Sequence, residues 1–254
     1  IPGSVLHPTE GKLSSDNMFT YRSGTGKLLH LMKWSRPEIG NSVRELSRYM
    51  SGAGMSHMKA MYRVMNYCLN TSERGKVFKP RRTCKPEEMA TFEFVVEGYS
   101  DSDYAKDPIK RRSVSGFCSF IEGCVLNMKS RMQPITSLSV TEAELVAATE
   151  CAQDLLYVKH VMESIGLKVR TPMNLNIDNS GCIDLICNWS AGGRTRHMET
   201  RMYFLRELKE EEPPIIMPIY CPTAMNHSDI FTKNCDTATF DEHIRVFCTD
   251  DAYK

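Results

Sequence analysis

The feature that most constrains this chain is a helical repeat between Val140 and Ile165. Leu145, Ala148, Ala152, Leu155, Val158, Met162 and Ile165 recur there at intervals of three and four, and Gly166 supplies a stop. An apolar face this long needs a broad apolar surface to cover, and the flanking patterns read as a sheet. Before it, Phe92, Phe94 and Val96 alternate as a strand that ends in Gly98-Tyr99-Ser100-Asp101. Ser113 to Ile121 and Cys124 to Ser130 read as a hairpin closed by Glu122-Gly123, a weaker turn signal than Asn-Gly. After it, Met173, Leu175 and Ile177 alternate and deliver Asp178 at a strand end. A helix through Ile183 and Ile186, a basic loop (Arg194, Arg196, His197) and a helix from Glu199 to Glu210 follow. Ile215 to Cys221 is the last strand, placed at a sheet edge because Pro218 lacks a ladder donor, and Asp229 opens a terminal helical stretch. The order predicts an α/β fold, a mixed sheet flanked by helices.

The first third has a different texture. Tyr21 to Trp34 reads as a helix with Leu28, Leu31 and Met32 buried. Ser35 is expected to cap a second helix with Glu38 as its reciprocal partner, and Ile39, Val43, Leu46 and Met50 form its inner face. A third helix, Ser56 to Leu69, turns Met58, Met61, Met65 and Cys68 inward and Lys59 and Arg63 outward. Arg74 to Pro86, with six Lys/Arg and two prolines, reads as a boundary. The expected domains are therefore a small helical region, 1–86, and an α/β domain, 87–254.

Composition narrows the classes. With 254 residues, 41% hydrophobic and 25% charged, the chain is neither a disordered tail nor a fibre. No apolar run approaches the roughly 20 residues of a bilayer span. Ile1-Pro2-Gly3 has no initiating Met and no signal-peptide layout, so the start is expected to be that of a segment processed out of something longer. Ten cysteines contain no Cys-x-x-Cys pair and no zinc-type Cys/His spacing, which predicts reduced structural thiols and a reducing compartment. Residues 1–90 carry 15 Lys/Arg against 7 Asp/Glu, whereas 91–254 carry 17 against 24. A basic first third can track a phosphate backbone; an acidic remainder repels one unless its carboxylates hold metal ions.

Four acids stand out by position. Asp101 and Asp178 close strands, where ligands gather in open α/β sheets. Glu144 lies in the second turn of the long helix, and Asp229 follows the last strand. Thr141 could claim Glu144 in a capping box, but Ser139 and Glu142 offer the same box two residues earlier, with Glu142 the substitute ligand if the assignment reverses. Clustered carboxylates without His or Cys select hard cations such as Mg²⁺. Two such ions can activate water and stabilise a leaving oxygen in phosphodiester hydrolysis.

These residues carry a resemblance. Gly98-Tyr99-Ser100-Asp101-Ser102-Asp103-Tyr104-Ala105, Arg112-Ser113-Val114-Ser115-Gly116-Phe117, Ser137-Leu138-Ser139-Val140-Thr141-Glu142-Ala143-Glu144-Leu145, Asp178-Asn179, Thr195-Arg196-His197 and Asp229-Ile230-Phe231-Thr232-Lys233 resemble, in order, the ribonuclease H segment of copia-type LTR retrotransposon polyproteins. Leu28-Leu29-His30-Leu31, Ser35-Arg36-Pro37-Glu38-Ile39 and Leu46-Ser47-Arg48-Tyr49-Met50 are similar to the reverse-transcriptase region that follows the palm.

The resemblance implies a ribonuclease H-like five-stranded mixed sheet behind a thumb- or connection-like helical region. It implies an endonuclease using two Mg²⁺ (or Mn²⁺) ions to cut the RNA strand of RNA–DNA hybrids, with Asp101, Glu144, Asp178 and Asp229 as metal ligands. Asp103 competes with Asp101, which is preferred because a small residue follows it. Arg81, Arg82, Arg111, Arg112, Arg194, Arg196 and His197 are the expected nucleic-acid contacts. His227, almost adjacent to Asp229, is a weaker candidate for the catalytic-loop His of the broader family than for a helix-start or surface role. No Tyr/Phe-x-Asp-Asp motif of palm type is present, so the implied partner is an upstream palm of the same polyprotein. The implied setting is the cytoplasm and virus-like particles, with access to the nucleus. Two other classes compete: a catalytically silent hybrid clamp or host-adopted interaction module, and an integrase-type core, which would need its Glu on a late helix.

Overall fold

In the computed structural model, residues 6–8, 11–188 and 199–249 are described. The chain divides into two compact units, 1–77 with 233–254, and 78–232.

The first unit is helical. α1 (Ser15–Trp34) is capped by Ser14, whose hydroxyl accepts from Asn17 N, and buries Tyr21, Gly24, Thr25 and Leu28. A 3₁₀ turn at Pro37–Ile39 leads into α2 (Gly40–Ser47), and α3 (Met55–Asn70) follows. Tyr21, Leu28, Ile39, Val43, Leu46, Met58, Met61 and Val64 form one core. The expected Ser35–Glu38 capping box is absent. Ser35 Oγ is directed back to Leu31 O, and Glu38 is buried in an ion pair with Arg36, Nε to Oε1 2.7 Å. Arg36 also donates to the Cys68 and Thr71 carbonyls that end α3.

The domain boundary is corrected too. β1 (Gly75–Lys76) pairs antiparallel with β9 (Cys248–Thr249), and α8 (Thr237–Phe247) turns Phe240, Ile244 and Phe247 inward. Phe240 meets Tyr67 edge-on, Asn41 donates to Lys233 O at 2.9 Å, and the Cys248 thiol donates to Glu38 Oε2. Residues 233–254 thus belong with the first unit, because the apolar face of α8 finds its complement there.

The second unit is built on five strands: β3 (Val96–Asp103), β4 (Val114–Ile121), β5 (Cys124–Met132), β7 (Met173–Ile177) and β8 (Ile216–Tyr220). Their order is β5-β4-β3-β7-β8. β3, β4 and β5 are antiparallel neighbours, while β7 and β8 run parallel to β3. This is the mixed five-stranded sheet expected from the sequence, with Pro218 on an edge strand. Short β2 (Glu93–Phe94) and β6 (Lys168–Val169) pair separately. Glu122 and Gly123 both take positive φ, as a tight type I′ turn requires, so the hairpin closes where expected.

α4 (Val140–Ser164) lays Leu145, Ala148, Cys151, Ala152 and Leu155 into a core with Val96, Phe117, Leu175 and Ile177. A Cβ at Gly98 would lie 2.5 Å from Cys151 Sγ, so glycine lets α4 approach β3. α5 (Ser180–Cys187) and α6 (Glu199–Glu210) complete this layer, with buried Arg206 donating to the Leu185 and Ile186 carbonyls. α7 (Asp229–Thr232) is a single turn against β3, β4 and β5. All ten cysteines are free. Among the described residues, no helix is long and apolar enough to cross a membrane.

Candidate active site

β3 and β7 are parallel neighbours, so their carboxyl ends emerge side by side. Asp101 lies within β3 opposite Gly116, two residues before the strand ends, rather than at the end as its sequence suggests. Ladder hydrogen bonding continues through Asp103, which pairs with Val114. Asp178 follows the last residue of β7, and Asp229 opens α7. One carboxylate oxygen from each of Asp101, Asp178 and Asp229 lies within 4.8 Å of the other two; Asp101 and Asp229 are buried and Asp178 half-buried. At that separation each pair of charges repels by about 3 kcal/mol for an effective dielectric near 20. Three buried or half-buried oxygen donors are the set that hard divalent cations prefer.

The residues around α7 explain how Asp229 reaches β3. Buried Asn226 donates from Nδ2 to Ser100 O at 2.9 Å and accepts at Oδ1 from Ser228 N at 3.2 Å, stapling the preceding turn to the strand. Ser130 Oγ donates to Phe231 O from β5. Opposite Asp101, a Cβ at Gly116 would lie 2.6 Å from Thr232 Cγ2 and 3.0 Å from Phe231 Cβ, so only glycine permits this approach. Thr232 Oγ1 then donates to Asp101 Oδ2. Thr223 Oγ1 donates to Asp178 Oδ2 at 3.0 Å.

Glu144 stands outside the triple, one residue removed from it. Its Oε1 accepts from Ser102 N at 3.1 Å and Ser102 Oγ at 2.7 Å, so it is anchored to the residue next to Asp101. The local reason is the cap. Ser139 Oγ accepts from Glu142 N at 3.1 Å, and Glu142 Oε2 accepts from Leu138 N at 2.6 Å, which leaves Glu144 facing β3. Cys182 feels both neighbours: burial pushes its thiol well up, and Glu144 and Asp178 add to that. The Cys221 thiol is raised by burial and then by Asp178 and Asp229. Both thiols are thus held toward the protonated form.

The other candidates separate. Asp103 forms an ion pair with Lys106 and lies outside the triple. His227 packs its ring on Tyr99, centroids 4.8 Å apart, and meets Phe120 at 6.1 Å. Arg111 and Arg112 sit in the loop joining β3 to β4, at the end of the sheet where Asp103 pairs with Val114. Arg81 and Arg82 are at the opposite end. Arg81 Nη1 pairs with Glu97 Oε1 at 2.9 Å, and Arg82 forks onto Glu122 in the β4–β5 turn. Glu97 precedes Asp101 by four residues, about 13 Å of strand, so Arg81 and Arg82 lie away from the acidic triple and are engaged with Glu97 and Glu122. Arg194, Arg196 and His197 lie outside the described residues.

Sequence reasoning missed Thr232, Thr223, Ser102 and Asn226 as site residues. Asn226, Thr223 and Thr232 cluster around Asp229 in sequence, and that proximity was the available signal; hydroxyl and amide side chains have no periodicity to betray them.

No family model matches the chain. It is 28% identical over 213 residues to the retrovirus-related Pol polyprotein from transposon TNT 1-94 of Nicotiana tabacum, a match that covers 84% of this chain and 15% of that polyprotein. It is 32% identical over 138 residues to the secreted RxLR effector protein 161 of Plasmopara viticola, covering 54% of this chain and 90% of that protein. Among solved structures, the LC11 ribonuclease H1 isolated from compost aligns with a TM-score of 0.40 and 14% identity, over 59% of this chain and 98% of that one. The chain thus spans a small part of the Pol relative's length.

Proposed function

The chain belongs to the copia-type retrotransposon Pol polyproteins, and from that premise we propose that residues 78–232 form a metal-dependent ribonuclease H that hydrolyses the RNA strand of RNA–DNA hybrids during reverse transcription. The observation that carries this reading is the convergence of Asp101, Asp178 and Asp229, from three separate elements, within 4.8 Å. Like charges held this close in a fold are explained by a cation they bind. Asp101, Asp178 and Asp229 would hold two Mg²⁺ or Mn²⁺ ions, with Glu144 completing the set from α4. Bound there, such ions lower the pKa of water and stabilise the charge on the leaving oxygen.

The chain's own residues supply position. β3 and β7 fix two carboxylates in register, and the Asn226 staple brings the third onto them. Lys110, Arg111 and Arg112, on the loop at this end of the sheet, would hold the flanking phosphates without reading sequence. Attack in line on the scissile phosphate leaves a 3′-hydroxyl and a 5′-phosphate. Selection of RNA follows from its 2′-hydroxyls and minor-groove shape. The helical first unit, with exposed Lys59 and Arg63, acts as a thumb- or connection-like grip, and the polymerase palm upstream in the polyprotein is the partner that delivers the hybrid, in the cytoplasm and in virus-like particles.

A second reading, a catalytically silent interaction module, is favoured by the likeness to the RxLR effector. The assay separates the two. With Mg²⁺ the wild-type chain is expected to cleave the RNA of an end-labelled hybrid, and Asp178→Asn to lose activity by about 10³-fold or more, the scale of a lost charge-stabilising group, while binding hybrid as before. Hybrid binding without cleavage by the wild type would favour the module; equal cleavage by both proteins would remove Asp178 from the mechanism.

A further inference from the structure

We propose that Thr232 is a positioning residue for the metal ligands: its hydroxyl fixes the carboxylate of Asp101 and ties it to Asp229. The inference rests on the metal-binding reading of the acidic triple and adds a residue to it.

Thr232 is fully buried, and it closes the single turn that Asp229 opens. Its Oγ1 lies 3.1 Å from Asp229 O and closer still to Asp101 Oδ2. A hydroxyl has one proton to give, and the charged acceptor takes it in preference to the neutral carbonyl. One four-residue turn therefore carries one ligand of the cluster and holds the carboxylate of another, on a strand more than a hundred residues away in sequence. A carboxylate gripped at one oxygen loses the rotation that would otherwise spread its lone pairs, so a cation meets a fixed donor.

The surroundings fit that role better than simple packing. Gly116 clears the space that Thr232 Cγ2 fills, and the Asn226 and Ser130 hydrogen bonds lock the turn from two sides. The approach is thus determined by three strands, and its result is an oriented hydroxyl rather than an apolar contact. Ser102 and Thr223 offer hydroxyls to Glu144 and Asp178 in the same way, but Asp178 is only half-buried and its bond with Thr223 is exposed. Removing the Thr223 hydroxyl should matter less, since water can replace it.

The test is Mn²⁺ binding by the full chain, followed by electron paramagnetic resonance, with thermal unfolding recorded alongside. Thr232→Val keeps the shape and removes the hydroxyl; Thr232→Ser keeps the hydroxyl and removes a methyl. Loss of a residue that orients a metal ligand typically weakens metal affinity by about 10- to 100-fold. Thr232→Val is expected in that range, Thr232→Ser close to wild type, and Thr223→Val between them. Should Thr232→Val fail to fold, Thr232→Ala, which adds no bulk, carries the same expectation. Mn²⁺ affinity unchanged in the folded hydroxyl-free variant, or Thr232→Ser as weak as Thr232→Val, would overturn the proposal. A wild type that binds no Mn²⁺ overturns it together with the metal reading. Mn²⁺ binding in the expected order without hybrid cleavage overturns only the proposed activity.

Discussion

Each unit buries acids, and it treats them differently. In the helical unit Glu38, with its side chain fully buried, faces Arg36 at 2.7 Å, and Glu45 pairs with Arg44 at 2.8 Å. In the sheet unit Asp101 and Asp229 are buried as deeply, yet they are drawn toward each other and toward Asp178. A buried charge is costly unless compensated. Where the compensation is a guanidinium from a neighbouring residue, the acid serves the fold. Where carboxylates converge and hydroxyls are oriented onto them, the acids are placed for a ligand.

The sharpest test of the first half of that contrast is Glu38→Gln. It leaves Arg36 charged and buried, and breaking a buried pair from one side costs about 3–5 kcal/mol. Urea denaturation should show the helical unit destabilised on that scale. A loss under about 1 kcal/mol, the worth of an exposed pair, would mean that burial does not distinguish this acid and would break the comparison.

The second half predicts the opposite sign. Asp178→Asn removes one charge from the triple, so without divalent ions the sheet unit should become more stable. The gain is about 1–2 kcal/mol, discounted from the pairwise repulsion because Asp178 is half-buried. Added Mg²⁺ should stabilise the wild type, by about 2.7 kcal/mol at a hundred times the dissociation constant, and leave Asp178→Asn nearly unmoved. Calorimetry with and without Mg²⁺ reads both. Destabilisation of the metal-free protein by Asp178→Asn would show that this acid is structural after all.

How far the sequence reveals these roles depends on whether a role is local. The periodicity of α4, the alternation of Met173, Leu175 and Ile177, and the edge position implied by Pro218 are written in neighbouring residues, and the sheet follows from them. Ser139 and Glu142 were legible as a cap for the same reason, and that freed Glu144. Glu38 misled because Ser-x-x-Glu is a local pattern, whereas its real partner, Arg36, is chosen by burial. The place of 233–254 was hidden because α8 is an ordinary amphipathic helix whose complement lies nearly two hundred residues earlier. At the site, the acids announced themselves by falling after strands. Gly116 and Thr232 did not, since their meaning is a close approach between β4 and α7 that no spacing encodes. Arg81 and Arg82 read as a basic run suited to phosphate, while the chain uses them to hold Glu97 and Glu122.

That last pair offers a control inside the sheet unit itself, at the end away from the triple. Burial alone would raise the Glu122 carboxyl, but hydrogen bonds from Arg82 and Val95 N, with the charges of Arg82 and Arg81, bring it below its ordinary value. A depressed carboxylate contributes stability above its unfolded pKa, about 4.3, and loses it as pH falls through the lower folded value. Glu122→Gln should therefore destabilise by about 0.5–1 kcal/mol at pH 7, since the Arg82 side chain is partly exposed and screened. The deficit should shrink below the ordinary carboxylate range, and cleavage should be unaffected. Thermal unfolding of both proteins across pH 2.5 to 7 checks this: a deficit that grows on acidification would reverse the sign and show that Arg82 and Val95 N do not hold the Glu122 carboxylate.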